Sequence, residues 1–229
     1  MLERVTPEHI GFIVDGNRRW AKLNGVSSDV HRKGADVVFE VARKAIESGA
    51  KYATFYVFST ENWHRAPEEV NYLMGLFVKY FEEKLEELKK EDIRIVFLGT
   101  LDRLGEEVLA TMHEVEELTK NGARGTLAFC FNYGGQQELA DACRKIVEQG
   151  LQPADITPET ITANVYHPEI PPVDFVVRTG GEQRISNFML WRLAYSEFLF
   201  LDKLWPELTV QDVNDIFDEF SHRQRRFGH

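Results

Sequence analysis

The stretch His9-Ile10-Gly11-Phe12-Ile13-Val14-Asp15-Gly16-Asn17-Arg18-Arg19-Trp20 decides the fold of this chain. Six mostly apolar residues read as a buried strand. A carboxylate follows, then a Gly-containing turn, then two guanidinium groups. Backbone N–H groups at such a turn, where a helix starts, can face phosphate oxygens. Arg adds planar, bidentate donors. A carboxylate can hold Mg²⁺ through one or two oxygens while substrate phosphates supply further ligands. On this segment alone, a strand-to-helix loop with surface arginines is an equal reading.

Working outward, further short apolar, β-branched or aromatic runs occupy residues 52–58, 93–99, 127–133, 174–178 and 197–202, after a first run at 9–15. Helical periodicity fills the gaps between them. Over residues 33–48, Val37, Val38, Val41, Ala42 and Ala45 share one face, with Asp36, Glu40, Arg43, Lys44 and Glu47 opposite. Gly49 suits the position just past that helix. Over residues 67–90, Val70, Leu73, Met74, Phe77, Phe81, Leu85 and Leu88 recur every three or four residues. Pro67 suits its first turn and Lys89-Lys90 its negative end. Alternating strands and helices predict an α/β fold with a mostly parallel six-stranded sheet flanked by helices. Residues 149–172 carry five prolines and read as an excursion with a short helix. With no linker or repeat, residues 1–229 are expected to form a single domain.

Composition narrows the function. The 229 residues carry a formal net charge of −10, which disfavours non-specific nucleic-acid binding. Cys130 and Cys143 lie outside any CxxC or Cys/His cluster, and each is expected to be a buried, reduced thiol. The start, Met1-Leu2-Glu3-Arg4-Val5, lacks the apolar centre of a signal peptide. No run approaches the roughly 18 apolar residues of a membrane span. A cytoplasmic protein is expected, with peripheral membrane contact left open.

In open parallel sheets, ligands bind beyond the carboxyl ends of the strands. Those ends carry Asp15 to Trp20, Ser59 to Arg65, Asn132-Tyr133-Gly134-Gly135, and Arg178 to Ser186. Arg18, Arg19, Arg65, Arg178 and Arg184 would thus face one rim, and clustered cations call for an anion of more than one phosphate. The plainer alternative is that Glu61, Glu182 and Glu197 pair them off. Asp15 and Glu197, both at strand termini, could share a cation. There is no Asp-Asp pair, so the aspartate-rich cradle of all-helical trans-prenyl synthases is excluded. A phosphate-binding GxxxxGK[ST] loop and a dinucleotide GxGxxG after the first strand are also missing. The broad apolar faces of the helices over 33–48 and 67–90 read as core. If the two helices diverge, they enclose an elongated apolar cavity beside the phosphate site.

Over nearly its whole length the sequence resembles the cis-prenyltransferase family, of the undecaprenyl diphosphate synthase type. The matching blocks are residues 9–21, His31-Arg32-Lys33-Gly34, Phe58 through Arg65, Asn132 through Gly135, Arg178 through Asn187, Trp191 through Glu197, Leu204-Trp205-Pro206, and Arg225-Arg226-Phe227-Gly228. The resemblance implies condensation of isopentenyl diphosphate onto an allylic diphosphate with cis geometry. It also implies Mg²⁺ dependence, an apolar tunnel for the growing chain, and a homodimer. It makes Asp15 the essential metal-linked carboxylate, with Glu197 completing the metal site. Gly16, Asn17, Arg18, Arg19 and Trp20 would wrap the allylic diphosphate, helped by His31. Arg178, Arg184, Ile185 and Ser186 would hold isopentenyl diphosphate. Ser59, Thr60, Glu61, Asn62, Trp63 and Arg65 would line the reaction centre, with Asn62 assisting proton removal. Arg225 to Gly228 would reach the partner subunit.

Three features depart from the long-chain pattern of that family. Arg18 stands where Gly is common. The loop Val26-Ser27-Ser28-Asp29-Val30 is shorter and lacks its usual Arg. Val57 replaces a frequent Ala, and its bulk is expected to narrow the tunnel and give products of short or medium length. Two rival readings are a non-catalytic accessory relative, which would lack the strand-end Asp, and a phosphohydrolase using Asp15 as nucleophile.

Overall fold

The computed structural model describes residues 5–26 and 30–223. Its centre is strand β1 (His9–Ile13), whose five residues are all buried. A strand covered on both faces needs no polar alternation, which explains the run of apolar residues after His9. Five further strands follow: β2 (Tyr52–Ser59), β3 (Ile93–Leu98), β4 (Gly125–Tyr133), β5 (Phe175–Arg178) and β6 (Glu197–Phe200). They form one sheet in the order β3-β4-β2-β1-β5-β6, and every pairing is parallel.

The helices are α1 (Asn17–Asn24), α2 (Val30–Glu47), α3 (Pro67–Leu88), α4 (Glu106–Thr119), α5 (Gly135–Glu148), α6 (Pro158–Asn164) and α7 (Val210–His222). Pro67 opens α3, and Gly49 follows α2 with φ 106°, as their sequence positions suggest. The proline-rich excursion contains α6, whose Thr157 side chain caps it by accepting from Thr160 N.

Side chains alternate across the sheet with the period of two that strands impose. Phe12, Phe55, Leu127, Phe129, Phe175 and Val177 point to the layer holding α2, α3 and α7. Ile13, Tyr56, Ala128, Cys130 and Val176 point to the other layer, with Phe188 and Met189. Phe12 stacks on Phe55 at 4.9 Å between ring centroids. Cys130 is buried, as its strand position predicts, but Cys143 is exposed. Ala142 and Ile146 take the inward face of α5, and Cys143 sits one helical step of about 100° off that face.

The second layer holds a buried ion pair. Glu138 is fully buried and Arg192 is 3% exposed. Arg192 donates to Glu138 Oε1 at 2.9 Å, and Tyr133 donates to Glu138 Oε2 at 2.6 Å. Arg192 also donates to the carbonyls of Tyr166, His167 and Ile170, so the pair anchors the excursion to α5.

His9, also buried, ties the excursion to β1. Its Nδ1 lies 2.8 Å from the Pro171 carbonyl and its Nε2 lies 2.7 Å from Thr54 Oγ1. This suits a neutral ring donating to one and accepting from the other. Burial lowers its pKa from 6.5 to about 4, against the Pro171 carbonyl, which raises it. Below 6.5 the unfolded chain therefore takes up a proton that the folded chain refuses. Stability is intact above pH 6.5 and falls until the folded pKa is passed, by about 3 kcal/mol. Urea unfolding between pH 7 and 5 should show this loss, and His9→Gln should flatten it. An equal slope in both proteins would refute the assignment.

Topology places the site. From β1 the chain moves to β2 on one side, and later crosses to β5 on the other. The carboxyl end of β1 is thus the switch point of the sheet, where a crevice opens.

Candidate active site

Register aligns Ile13 with Tyr56 of β2 and with Arg178 of β5. The segments after these three residues therefore emerge side by side. Asp15 follows β1 and meets two arginines, Arg178 at the end of β5 and Arg19 on α1. Arg178 donates to its Oδ2 at 2.8 Å, and Arg19 donates to its Oδ1 at 3.2 Å. Burial alone would raise the carboxyl's pKa, but the guanidinium groups of Arg178 and Arg19 outweigh it and hold the pKa below the usual range. Asp15 is therefore ionised at neutral pH.

The turn after Asp15 needs glycine. Gly16 has φ 112°, and an added Cβ would lie 2.9 Å from Leu204 Cδ2. Helix α1 starts at the next residue. Asn17 lies against α2, and an added Cβ on Gly34 would come within 2.5 Å of Asn17 Oδ1.

A cleft of about 400 Å³ opens over this corner. Asp15, Gly16, Asn17, Arg18, Arg19, His31, Ser59, Asn62, Arg65, Arg178 and Arg184 line it, all of them anticipated from sequence. Arg65 pairs with Glu69 at 3.0 Å, and Arg184 pairs with Glu182 at 2.5 Å. Among the described residues Arg18 has no carboxylate partner. Five guanidinium groups thus share Asp15, Glu69 and Glu182, so the cleft keeps an excess of positive charge. Glu61, expected to pair with them, makes no ion pair with these arginines among the described residues; its Oε1 accepts from Asn187 at 3.0 Å. His31 is held toward its neutral form by burial, helped by the charges of Arg65 and Arg18 and opposed by Glu69.

Some anticipated residues do not line the cleft. Trp20 lies under Lys33, whose Nζ is 4.1 Å from the ring centroid. Thr60 Oγ1 donates to Glu61 Oε2 at 3.3 Å. Trp63 donates to Asn132 Oδ1 at 2.7 Å and stands edge-on to Phe58. Ile185 packs in the second layer. Ser186, with φ 47°, accepts from Arg178 at 2.9 Å. Arg178 is only 4% exposed, and its other contact is the Arg184 carbonyl, so it braces the loop as well as Asp15.

Glu197 requires a correction. It opens β6, paired with Phe175, whereas Arg178 pairs with Phe200. The first residue of a parallel strand lies on the rim opposite its last, so Glu197 and Asp15 sit at opposite ends of the sheet and cannot share a cation within one chain. Arg223 donates to Glu197 at 3.2 Å instead. Arg225, Arg226, Phe227 and Gly228, and residues 27–29 of the short loop, lie outside the described residues.

Beside the cleft is a second, apolar cavity of about 130 Å³ between α2 and α3. Val38, Phe39, Phe77, Phe81, Phe129 and Phe131 are among its walls, and Val14, Asn17, His31, Val57 and Leu73 line both spaces. Val57 and the helix face carrying Leu73 are legible in the sequence as cavity walls, whereas Val14 looks there like an ordinary strand residue. Sequence reading also passed over Thr179 and Gly180, whose signal was their position directly after Arg178.

No described cluster of three His, Cys, Asp or Glu side chains could hold a metal by itself. One ionised carboxylate at the mouth of an anion-binding cleft does fit an ion that takes its remaining ligands from substrate phosphates and water.

A strand-end carboxylate, an arginine-rich cleft and an adjoining apolar cavity define an α/β enzyme for phosphorylated substrates with an apolar part. Comparison with known proteins sharpens this. The family model described as "Putative undecaprenyl diphosphate synthase" matches residues 13–228. An isoprenyl transferase of Thermotoga maritima is 44% identical over 97% of this chain and 97% of its own length. A decaprenyl diphosphate synthase of Mycobacterium bovis is 42% identical over 97% of this chain and 77% of its own. The crystal structure of lavandulyl diphosphate synthase from Lavandula x intermedia, in complex with dimethylallyl diphosphate, matches with TM-score 0.91 at 32% identity, covering 99% of this chain and 100% of that one. The chain belongs to the undecaprenyl diphosphate synthase family of cis-prenyltransferases. It is a metal-dependent enzyme that condenses isopentenyl diphosphate with an allylic diphosphate.

Proposed function

We propose that this cis-prenyltransferase binds the allylic diphosphate over Gly16, Asn17, Arg18, Arg19, Arg65 and His31, with Asp15 holding Mg²⁺ against it. The product is a cis-polyprenyl diphosphate of short or medium length. The observation that carries this reading is the shared wall of cleft and apolar cavity: a bound diphosphate can direct its hydrocarbon between α2 and α3.

Arg18, Arg19 and Arg65 stabilise the charge that grows on the departing diphosphate. Mg²⁺, when bound, neutralises part of that same charge. The apolar walls keep water from the allylic cation. Arg184 and the loop braced by Arg178 receive isopentenyl diphosphate. Asn62 Oδ1 already accepts from Ser59 N at 3.1 Å, which leaves its amide N–H groups as donors. Asn62 therefore orients a substrate, and the departing diphosphate takes the proton. We also infer a homodimer, because Glu197 can serve a metal site only across a chain boundary. None of the described helices is long and apolar enough to cross a membrane. A cytoplasmic location, with peripheral membrane contact at product release, is consistent with that.

The test is incubation with Mg²⁺, labelled isopentenyl diphosphate and allylic starters of increasing length, then chromatography of the dephosphorylated products. Chain extension is expected. Phosphate release from simple phosphoesters without isopentenyl diphosphate would instead mark a phosphohydrolase. Val57 is half-buried at the junction of the two spaces. Removing its two methyl groups should admit further isoprene units, because packed walls feel single methylenes. Val57→Ala is thus expected to lengthen the products, and an unchanged distribution sinks this account of chain length.

A further inference from the structure

Arg178, which ends β5, and the two residues after it hold Asp15 or its partner Arg19. Arg178 reaches the Asp15 carboxylate at 2.8 Å. Gly180 O accepts from Arg19 Nη1 at 2.6 Å, which aims the other nitrogen of that guanidinium at Asp15 Oδ1. A Cβ on Gly180 would collide with Arg19 Nη2, and its φ of 88° suits glycine. Between them, Thr179 grips the backbone. Its Oγ1 accepts from Asp15 N at 3.1 Å and donates to Asp15 O at 2.7 Å.

The grip falls where regular structure stops. The β1–β5 ladder ends at Ile13 and Arg178. Beyond it, the Asp15 N–H has as its backbone acceptor only the Ile13 carbonyl two residues back, at 3.0 Å, and the chain must turn at once into α1. One hydroxyl, on a residue only 1% exposed, adds a cross-strand hydrogen bond on both sides of the Asp15 Cα. Trp205 N adds a second donor to the same carbonyl at 3.0 Å. Fixing φ and ψ of Asp15 fixes where its carboxylate can point. A small misplacement of a reacting group costs far more rate than binding.

We propose that Thr179 is a positioning residue of the condensation: its hydroxyl locks the Asp15 backbone and couples the isopentenyl diphosphate loop to the allylic half of the site. The proposal rests on the role given to Asp15 above. Thr179→Val keeps the shape and removes the hydroxyl, while Thr179→Ser keeps the hydroxyl. The Val variant should lose at least tenfold in kcat. Its KM for either substrate, and its affinity for an unreactive thio-analogue of an allylic diphosphate, should stay within threefold of wild type. The Ser variant should recover kcat to within threefold. If Val fails to fold, Thr179→Ala compared with Thr179→Ser isolates the hydroxyl, and Ala should be at least tenfold slower. A smaller loss in the Val variant, or equal rates in Ala and Ser, overturns the proposal. Those outcomes require an active wild type. A wild type that does not extend any starter overturns the functional reading itself.

Discussion

Asp15→Asn is expected to lower turnover by roughly 10³-fold, the scale of removing one well-placed electrostatic group. The substitution keeps the side chain's shape and its contact with Arg178, which donates at 2.8 Å to one oxygen. It removes the charge that both guanidinium groups and a bound cation require. Asp15→Ala should be equally inactive but a poorer control. It leaves Arg178, 4% exposed, without its carboxylate. The cost approaches, but stays below, the roughly 3–5 kcal/mol of breaking a fully buried pair, since Asp15 itself is partly open to water. Single-turnover assays with circular dichroism separate the two effects. An Asn variant with more than a tenth of wild-type turnover would contradict the role assigned to Asp15.

Glu138→Ala should cause the largest loss of stability. It strands the Arg192 guanidinium in the core, and it removes the acceptor of Tyr133 Oη and Tyr166 N. Leaving a buried charge unpaired costs about 3–5 kcal/mol. For a chain of this size that corresponds to a melting temperature about 10 °C lower. Glu138→Gln, which keeps the shape and two hydrogen-bonding groups, should cost less. Because Arg192 also holds the carbonyls of Tyr166, His167 and Ile170, protease sensitivity should rise first in the proline-rich excursion. A Glu138→Ala variant that unfolds at the wild-type urea midpoint would show that the pair contributes nothing.

Much of the fold was legible because strands and helices write their periods into the sequence. The runs at 9–15, 52–58 and 127–133 became β1, β2 and β4, and the faces built on Val37 and Phe77 became the inner sides of α2 and α3. The anion site was legible for a related reason. In a parallel sheet the residues after each strand share a rim, so Asp15, Ser59, Asn62, Arg65, Arg178 and Arg184 could be gathered before their neighbours were known. Cys143 shows the limit of local patterns. Its neighbours look helical and mildly apolar, but the angle between it and Ala142 decides its exposure.

The order of residues dictates which chemistry is present: a strand-end carboxylate, five strand-end arginines, and apolar helix faces in quantity. Which of these groups meet is set by the folded arrangement. Strand order put β5 beside β1, and register set Arg178 against Ile13, so Thr179 and Gly180 became the holders of Asp15 and Arg19. The same register sent Glu197 to the far rim, away from Asp15. Local periodicity fixes which way a side chain faces along its own element, whereas the pairing of distant elements depends on how the whole core packs.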